Sequence, residues 1–362
     1  MFKNILDNLK EIEKLDSQNM RGSLACLGKQ IEQIWHDGQN LKITKNFKNI
    51  NKLVILGMGG SGTLPGLILK ALFFKELKIP LEVIGDYHVP NYVDKNTLVI
   101  ASSYSGTTEE PLNAIKEAKN RGAKILALTS GGTLAPWAKK NRVPALVFLA
   151  KNNPSNQPRM GVGYMVFGLI TLLVKAGLLP QFSKSVVERI SFVAKNFSKK
   201  FDLKIEKQNN FTKQLAEKIK EQTVWFVGAE HLAGNAHAAA NQMNENGKRF
   251  ASFFLIPELN HHLMEGMMYP KNNKNNLFFI FLESSLYDKR IQKRFSITKQ
   301  VLLKNKIKFA SYRSSGKNKI DQVVEALVFS GYLSYYCALV ENLNPSAIPY
   351  VDYFKAQLKK GR

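Results

Sequence analysis

Apolar residues fall into short, nearly unbroken runs separated by longer amphipathic stretches, and the whole alternation occurs twice along the chain. From residue 52 the runs are LVILG, LEVIG, TLVIASS, KILALTS and ALVFLA, rich in leucine and β-branched residues. Between them, residues 65–74 and 109–121 carry helical spacing. Strands apolar at every position are buried on both faces, the signature of a parallel sheet covered by helices. Residues 160–177 and 184–200 are again helical. A new start follows at residues 223–229, TVWFVGA, with a helix over 232–246, strands at 251–256, 276–282 and 307–312, a helix after Tyr287 and another over 320–340.

The pattern predicts a pseudo-duplicate of class α/β: two doubly wound parallel-sheet domains in tandem, 46–182 and 211–345, joined by a helical connection over 183–210. Residues 1–45 read as two amphipathic helices. The first carries Phe2, Ile5, Leu6, Leu9, Ile12 and Leu15; the second carries Leu24, Leu27, Ile31, Ile34 and Trp35. They are expected to pack against a domain or a partner subunit. Residues 346–362 form a C-terminal tail with a short charged helix over 351–358.

Composition narrows the function classes only a little. Among 362 residues, 52 Lys and Arg against 28 Asp and Glu give a net charge of +24, which suits nucleic acid, an anionic membrane or a phosphorylated metabolite. The lysines are scattered and no helix-turn-helix or zinc-finger pattern accompanies them, so they are read as solvated surface and no nucleic-acid partner is expected. Cys26 and Cys337 imply neither a disulfide framework nor a zinc site. The N-terminal pattern is not that of a signal peptide, and the apolar run 164–179 is too short to span a bilayer and is interrupted by Lys175. A cytoplasmic protein without membrane association is expected.

Candidate chemistry concentrates in two turns. VILGMGGSGTLPGLIL, residues 54–69, is strand, tight turn and helix, and Gly57, Gly59, Gly60 and Gly62 let the backbone approach a ligand. The amides of Gly60, Ser61 and Gly62 are expected to open the helix as an anion site. Three phosphate-binding readings compete: a dinucleotide fold, with G-x-G-x-x-G and Asp86 as the ribose acid; a nucleotide P-loop, which lacks its lysine here; and a sugar-phosphate cradle. A turn without ligand is the bland alternative. SSYSGTTEE, residues 102–110, follows a neighbouring strand and crowds Ser103, Ser105, Thr107 and Thr108 around Gly106, enough hydroxyls and amides to ring a phosphate. Glu109 and Glu110 fit the first turn of the following helix.

Three further residues invite a functional reading. Glu245 sits near the end of a helix that Gly247 terminates, so the helix dipole is expected to raise its carboxyl pKa and suit it to proton transfer; an exposed glutamate in a frayed turn is the alternative. Arg159, after Pro158 in a loop, can face negative charge or be one surface cation among many. His261 with Glu265, or Glu258 with His262, has one-turn spacing for a metal pair, but two ligands are too few, and no metal is expected.

GMGGSGT followed by SSYSGTTEE is similar to the two phosphate-binding loops of the sugar isomerase (SIS) domain. With NQPRMGVGY at 156–164, QMNENGK at 242–248, PELNH at 257–261 and a lysine at Lys355, the whole chain resembles the bifunctional phosphoglucose/phosphomannose isomerase family, which carries two SIS domains in tandem. The resemblance implies reversible isomerisation of glucose 6-phosphate and fructose 6-phosphate, with mannose 6-phosphate also accepted, through a cis-enediol and without a cofactor. It places Gly59, Gly60, Ser61, Ser103, Ser105 and Thr108 on the phosphate and makes Glu245 the base. Arg159 stabilises the enediolate, His261 and Lys355 open the ring, and a homodimer is implied in which His261 serves the partner's site. Two positions depart from the family: Thr107 stands where asparagine is common, and Ser346 in NPSAI is matched to a threonine linked to mannose acceptance. A phosphosugar-binding regulatory SIS protein without catalysis is the rival reading, with an NAD-dependent enzyme third.

Overall fold

Nine strands form two sheets, all parallel, in this computed structural model, which describes residues 5–43, 47 and 49–360. The first contains β1 (Lys52–Leu56), β2 (Leu81–Ile84), β3 (Thr97–Ser102), β4 (Lys124–Thr129) and β5 (Ala145–Val147) in the order β2-β1-β3-β4-β5. The second contains β6 (Thr223–Gly228), β7 (Ala251–Leu255), β8 (Leu277–Glu283) and β9 (Lys308–Arg313) in the order β7-β6-β8-β9. In each, the chain leaves its first strand to one side and returns on the other, which makes β1/β3 and β6/β8 the switch points.

Successive residues of one strand serve opposite layers. Val54, Leu56, Val99 and Ala101 pack with Ala114, Ile115 and Ala118 of the Glu109–Asn120 helix. Leu53, Ile55, Leu98 and Ile100 point the other way, into the cluster that includes Ile68 and Leu69 of the Thr63–Leu72 helix and Met165 of the Val162–Lys175 helix. That inner cluster continues without interruption into the second domain. The Ala233–Glu245 helix crosses the Thr63–Leu72 helix so closely that a Cβ on Gly234 would lie 2.5 Å from the Ile68 Cα. This close crossing sets where the end of the Ala233–Glu245 helix lies relative to the first sheet.

The Lys319–Val340 helix has the length and mean hydropathy, 1.5, of a bilayer-crossing segment, yet 94% of its most apolar window is buried inside the protein. It packs against the Lys184–Lys200, Phe211–Lys218 and Ala233–Glu245 helices as the core of the second domain.

The N-terminal region departs from the expected two helices. Ile5–Asp7 is a 3₁₀ turn, followed by helices Leu9–Leu15, Met20–Ala25 and Leu27–Gln39; residues 1–4 and 44–45, part of the expected region, lie outside the described residues. Polar caps cause the break. Asp16 accepts the N–H groups of Met20 (2.7 Å) and Arg21 (2.9 Å), and Asn19, at φ 56°, caps Gly22. These helices fasten to the same chain: Arg21 pairs with Asp202, and Asp16 accepts from the Tyr335 hydroxyl.

Besides the one-turn helices Leu259–His262 and Asn273–Asn276, two longer helices among the described residues after the N-terminal region escaped the sequence pattern, Leu134–Lys140 and Phe211–Lys218. The second was hidden because its Lys213, read as surface, is wholly buried, donating to Asp7 Oδ1 (3.0 Å) and the Leu203 carbonyl (2.8 Å). ALVFLA contributes only Ala145–Val147 to the sheet. The tail helix is longer than expected, Pro349–Lys360, and buries none of its residues.

Candidate active site

Both turns lie at the carboxyl ends of β1 and β3, neighbours at the switch point of the first sheet. Ser102 ties them together, its hydroxyl donating to the Ser61 carbonyl at 2.6 Å. The helix begins at Thr63, later than the glycines suggested, because residues 59–61 form a 3₁₀ turn. The Met58 carbonyl takes the N–H groups of Ser61 (3.1 Å) and Gly62 (3.2 Å). The amides of Gly59 and Gly60 make no hydrogen bond among the described residues, which leaves these two, one position earlier than expected, as the free donors.

In the second turn, Ser103 is buried; its Oγ accepts from the Gly106 N–H and donates to Thr108 Oγ1, both at 3.2 Å. Ser105 Oγ accepts from the Thr107 N–H (3.3 Å) and hydroxyl (3.0 Å). Gly106 makes this compact form possible: its φ is +67°, and a side chain there would strike the Gly131 carbonyl. The dinucleotide reading loses its acid, since Asp86 is exposed and turned back on its own loop, accepting from the Tyr87 N–H (2.5 Å) and the His88 N–H (3.3 Å).

Across from the first turn stands Arg159, in the 3₁₀ turn Pro158–Met160; a Cβ on Gly60 would come within 3.3 Å of its Cα. Its guanidinium is held by neutral oxygens: Nε donates to Asn246 Oδ1 (2.7 Å), Nη1 to Gln157 Oε1 (2.9 Å), and Nη2 to the carbonyls of Ser346 (2.7 Å) and Pro345 (3.3 Å). Burial pulls its pKa below the usual arginine value, while the charges of Glu245 and Asp352 oppose that pull. Glu245 is the last residue of the Ala233–Glu245 helix, half-exposed, with Oε2 at 3.9 Å from Arg159 Nε. Gly59, Gly60, Arg159 and Glu245 line one cavity of about 170 Å³ with Asn241 and Gln242.

Three contributors were not singled out in the sequence. Asn246 and Gln157 hold Arg159 in place. Lys248, at φ 53°, donates to the Glu245 carbonyl (2.5 Å) and the Pro345 carbonyl (2.9 Å). Burial first, and the Arg159 charge second, push its pKa down to about 8, with Glu245 opposing. All three lie inside NQPRMGVGY or QMNENGK, so the motifs marked the segments without revealing which side chains hold which. Ser346 lies beside the cavity: its hydroxyl is buried and without a partner among the described residues, and its carbonyl accepts from Arg159.

His261 and Lys355 are not brought into this cavity within one chain. His261 is exposed in the short Leu259–His262 helix after β7; the turn is fixed by Asn260, which donates to Thr298 Oγ1 at 2.8 Å and accepts from Arg294 at 3.3 Å. Among the described residues no three His, Cys, Asp or Glu side chains converge as metal ligands. Lys355 is exposed on the Pro349–Lys360 helix, one turn after Asp352, whose charge acts on Arg159.

The carboxyl end of the second sheet holds a larger cavity, about 960 Å³, lined in part by Glu230, His231, Leu286, Tyr287 and Asp288. Its turn after β8 copies one feature of the first, the Leu286 N–H donating to Ser284 Oγ at 2.8 Å as Gly106 does to Ser103. In that turn the glycines and most of the clustered hydroxyls are replaced by the buried ring of Tyr287 and by Asp288, and the cavity lining mixes Lys70, Lys75, Lys289 and Lys319 with Glu230, Glu258 and Asp288. The two cavities differ in chemistry as well as in size. The smaller cavity carries the free amides, the arginine and the carboxylate.

Comparison with known proteins extends the likeness over both domains. A family described as the SIS domain matches residues 46–144, and one described as the bacterial phospho-glucose isomerase C-terminal SIS domain matches residues 208–358. The bifunctional phosphoglucose/phosphomannose isomerase of Caldicellulosiruptor bescii is 31% identical over 93% of this chain and 98% of its own. The chain belongs to the bifunctional phosphoglucose/phosphomannose isomerase family. A second family member, from Thermoplasma acidophilum, is 30% identical over 87% of this chain and 91% of its own. Among solved structures, a hypothetical protein from Thermus thermophilus shares the fold at a TM-score of 0.71 and 14% identity, covering 97% of this chain and 93% of that one. The matches to the two SIS domains fall on the two sheets, consistent with the family's tandem design.

Proposed function

We propose that the protein interconverts glucose 6-phosphate and fructose 6-phosphate, and accepts mannose 6-phosphate, by proton transfer through a cis-enediol. One observation carries the reading: Arg159 is fixed by Asn246, Gln157, Pro345 and Ser346, leaving the nearby Glu245 carboxylate free of a direct hydrogen bond from it, in a cavity that opens on the amides of Gly59 and Gly60. A positioned base beside a fixed cation and an anion cradle suits enolisation next to a carbonyl.

The phosphate rests on the Gly59 and Gly60 amides and on Ser61, Ser103, Ser105 and Thr108. Lys355 and the partner's His261 assist ring opening, moving a proton between the ring oxygen and the C1 hydroxyl. Glu245 takes the C2 proton of the open aldose as the C1 carbonyl becomes an enediol oxygen, and returns it to C1 as the C2 hydroxyl becomes the ketone. Arg159 stabilises the negative charge that builds on the enediolate oxygens, and since that charge is larger in the transition state than in the sugar, its effect falls on the rate. Return of the proton to either face of C2 gives the glucose or the mannose epimer. The exposed His261 fits a residue that acts across the interface of a homodimer.

The test is a coupled assay on purified protein with fructose 6-phosphate and no added metal or nucleotide, reading glucose 6-phosphate and mannose 6-phosphate in parallel. Both products are expected. Folded protein that binds fructose 6-phosphate without forming either product would instead support a sugar-phosphate sensor.

A further inference from the structure

We infer that Lys248 is a positioning residue for the isomerisation, locking the helix end that carries Glu245 to the segment that leads into the Lys355 helix. The inference rests on the reading of Glu245 as the base. Lys248 touches neither the cavity nor a carboxylate oxygen; both acceptors of its ammonium are backbone carbonyls, Glu245 O at 2.5 Å and Pro345 O at 2.9 Å.

Those two carbonyls belong to parts of the chain that would otherwise be loosely held. Glu245 O is among the last carbonyls of its helix, which have no N–H partner within the helix. A left-handed residue at Lys248 folds the chain back so that its side chain can reach this end, and the cation there opposes the helix dipole. Pro345 O lies four residues before the Pro349–Lys360 helix, which buries none of its residues and so depends on its N-terminal attachment for its placement. Arg159 reaches the same Pro345 carbonyl through Nη2 at 3.3 Å and the next carbonyl, Ser346 O, at 2.7 Å.

Two cations thus converge on one short segment in a half-buried setting. Their mutual repulsion and desolvation are unfavourable, and a neutral side chain would avoid both. What the pair does provide is geometry. Arg159 fixes Pro345 and Ser346 from the first domain, and Lys248 fixes Pro345 and Glu245 from the second, so base, arginine and tail helix share one frame. A base displaced by about 1 Å loses about a hundredfold in rate. A residue that only stabilised the fold would leave the chemical step unchanged once the protein was folded.

The experiment compares wild type with Lys248→Met and Lys248→Arg, each shown to be folded by circular dichroism and thermal melting. Lys248→Met is expected to lower kcat for fructose 6-phosphate about ten- to a hundredfold with KM within about threefold, because the phosphate loops are untouched. With glucose 6-phosphate deuterated at C2, its isotope effect on kcat should exceed that of wild type, since proton transfer becomes rate-limiting. Lys248→Arg, which keeps two donors, should recover most of the loss. Amide exchange across residues 344–349 should rise at least about tenfold in Lys248→Met, a readout independent of turnover. A wild-type protein without isomerase activity would count against the proposed function, and the exchange measurement would still decide the locking role. Lys248→Met turnover within twofold of wild type, an unchanged isotope effect, or unchanged exchange at 344–349 overturns the inference.

Discussion

Arg159 and Glu245 approach to 3.9 Å, Nε to Oε2, but the Nε hydrogen goes to Asn246 Oδ1 at 2.7 Å. The cation is near enough to act on charge in the cavity without tying up the carboxylate in a tight ion pair. Asn246 follows Glu245 in sequence, so the end of one helix supplies both the carboxylate and the group that restrains the neighbouring arginine.

Glu245→Gln should therefore keep the fold and the phosphate cradle and lose the proton carrier. Turnover of fructose 6-phosphate is expected to fall about 10²- to 10⁴-fold, with substrate binding by calorimetry nearly unchanged. Retention of wild-type turnover by the folded variant would remove Glu245 from the mechanism.

The proposed sharing of His261 between subunits predicts complementation. Glu245→Gln and His261→Ala proteins, each inactive alone, should regain activity when mixed, unfolded and refolded together, because mixed dimers contain one site with both groups intact. Purified mixed dimers that stay as inactive as their parents would place His261 in its own subunit's chemistry.

Gly106→Ala tests the proposed role of the second turn in holding phosphate. At φ +67°, with the Gly131 carbonyl where a Cβ would stand, the substitution should cost about 1–3 kcal/mol and displace Ser105 and Thr108. Urea titration should show the loss of stability, and KM for fructose 6-phosphate should rise; an unchanged KM would separate this turn from substrate binding.

His231 gives an acid signature. It is 1% exposed, its Nε2 is 2.9 Å from Gln322 Oε1, and burial pushes its pKa down to about 4, reinforced by the Lys319 charge. The unfolded chain takes up the proton near pH 6.5 and the folded one only near 4. Its contribution is thus complete above pH 6.5 and is lost as pH falls toward 4, about 2 kcal/mol by pH 5. The difference in urea stability between pH 7 and pH 5 should shrink by that amount in His231→Gln.

Lys248 gives an alkaline one, with opposite signs for stability and rate. Its pKa is about 8 in the fold against an ordinary 10.5, so the charged form is carried at a cost that disappears as pH rises from about 8 to 10.5, and stability gains from this group. The same deprotonation weakens its two charge-assisted bonds, with Arg159 and Glu245 the charged groups beside it. The kcat profile should fall with an apparent pKa near 8, and that limb should move upward in Lys248→Arg.

Much of the architecture was legible because periodicity reports burial. Strands β1 and β3, buried on both faces, had to read as continuous apolar runs, and the second set of runs announced the second sheet. The Phe211–Lys218 helix was invisible for the converse reason. A lysine at a core position looks polar until Asp7 and the Leu203 carbonyl, distant or turned away in sequence, are seen to receive it. The broken N-terminal helices likewise depend on Asp16 and Asn19 acting as caps, a choice between backbone and side-chain hydrogen bonds that an apolar stripe does not record.

The site divides in the same way. The amino-acid sequence determined the two turns, their place after adjacent strands and the glutamate at a helix end, because each is a local consequence of residue type and spacing. Tertiary structure decided which groups are free and which are engaged. It spent the Ser61 and Gly62 amides on Met58, buried the Ser346 hydroxyl while turning its carbonyl to Arg159, and joined Lys248 to Pro345. Hydrogen-bond partners far apart in the chain are selected by packing, above all by the close crossing of the Thr63–Leu72 and Ala233–Glu245 helices that brings residues 59–60 and 245 to one cavity.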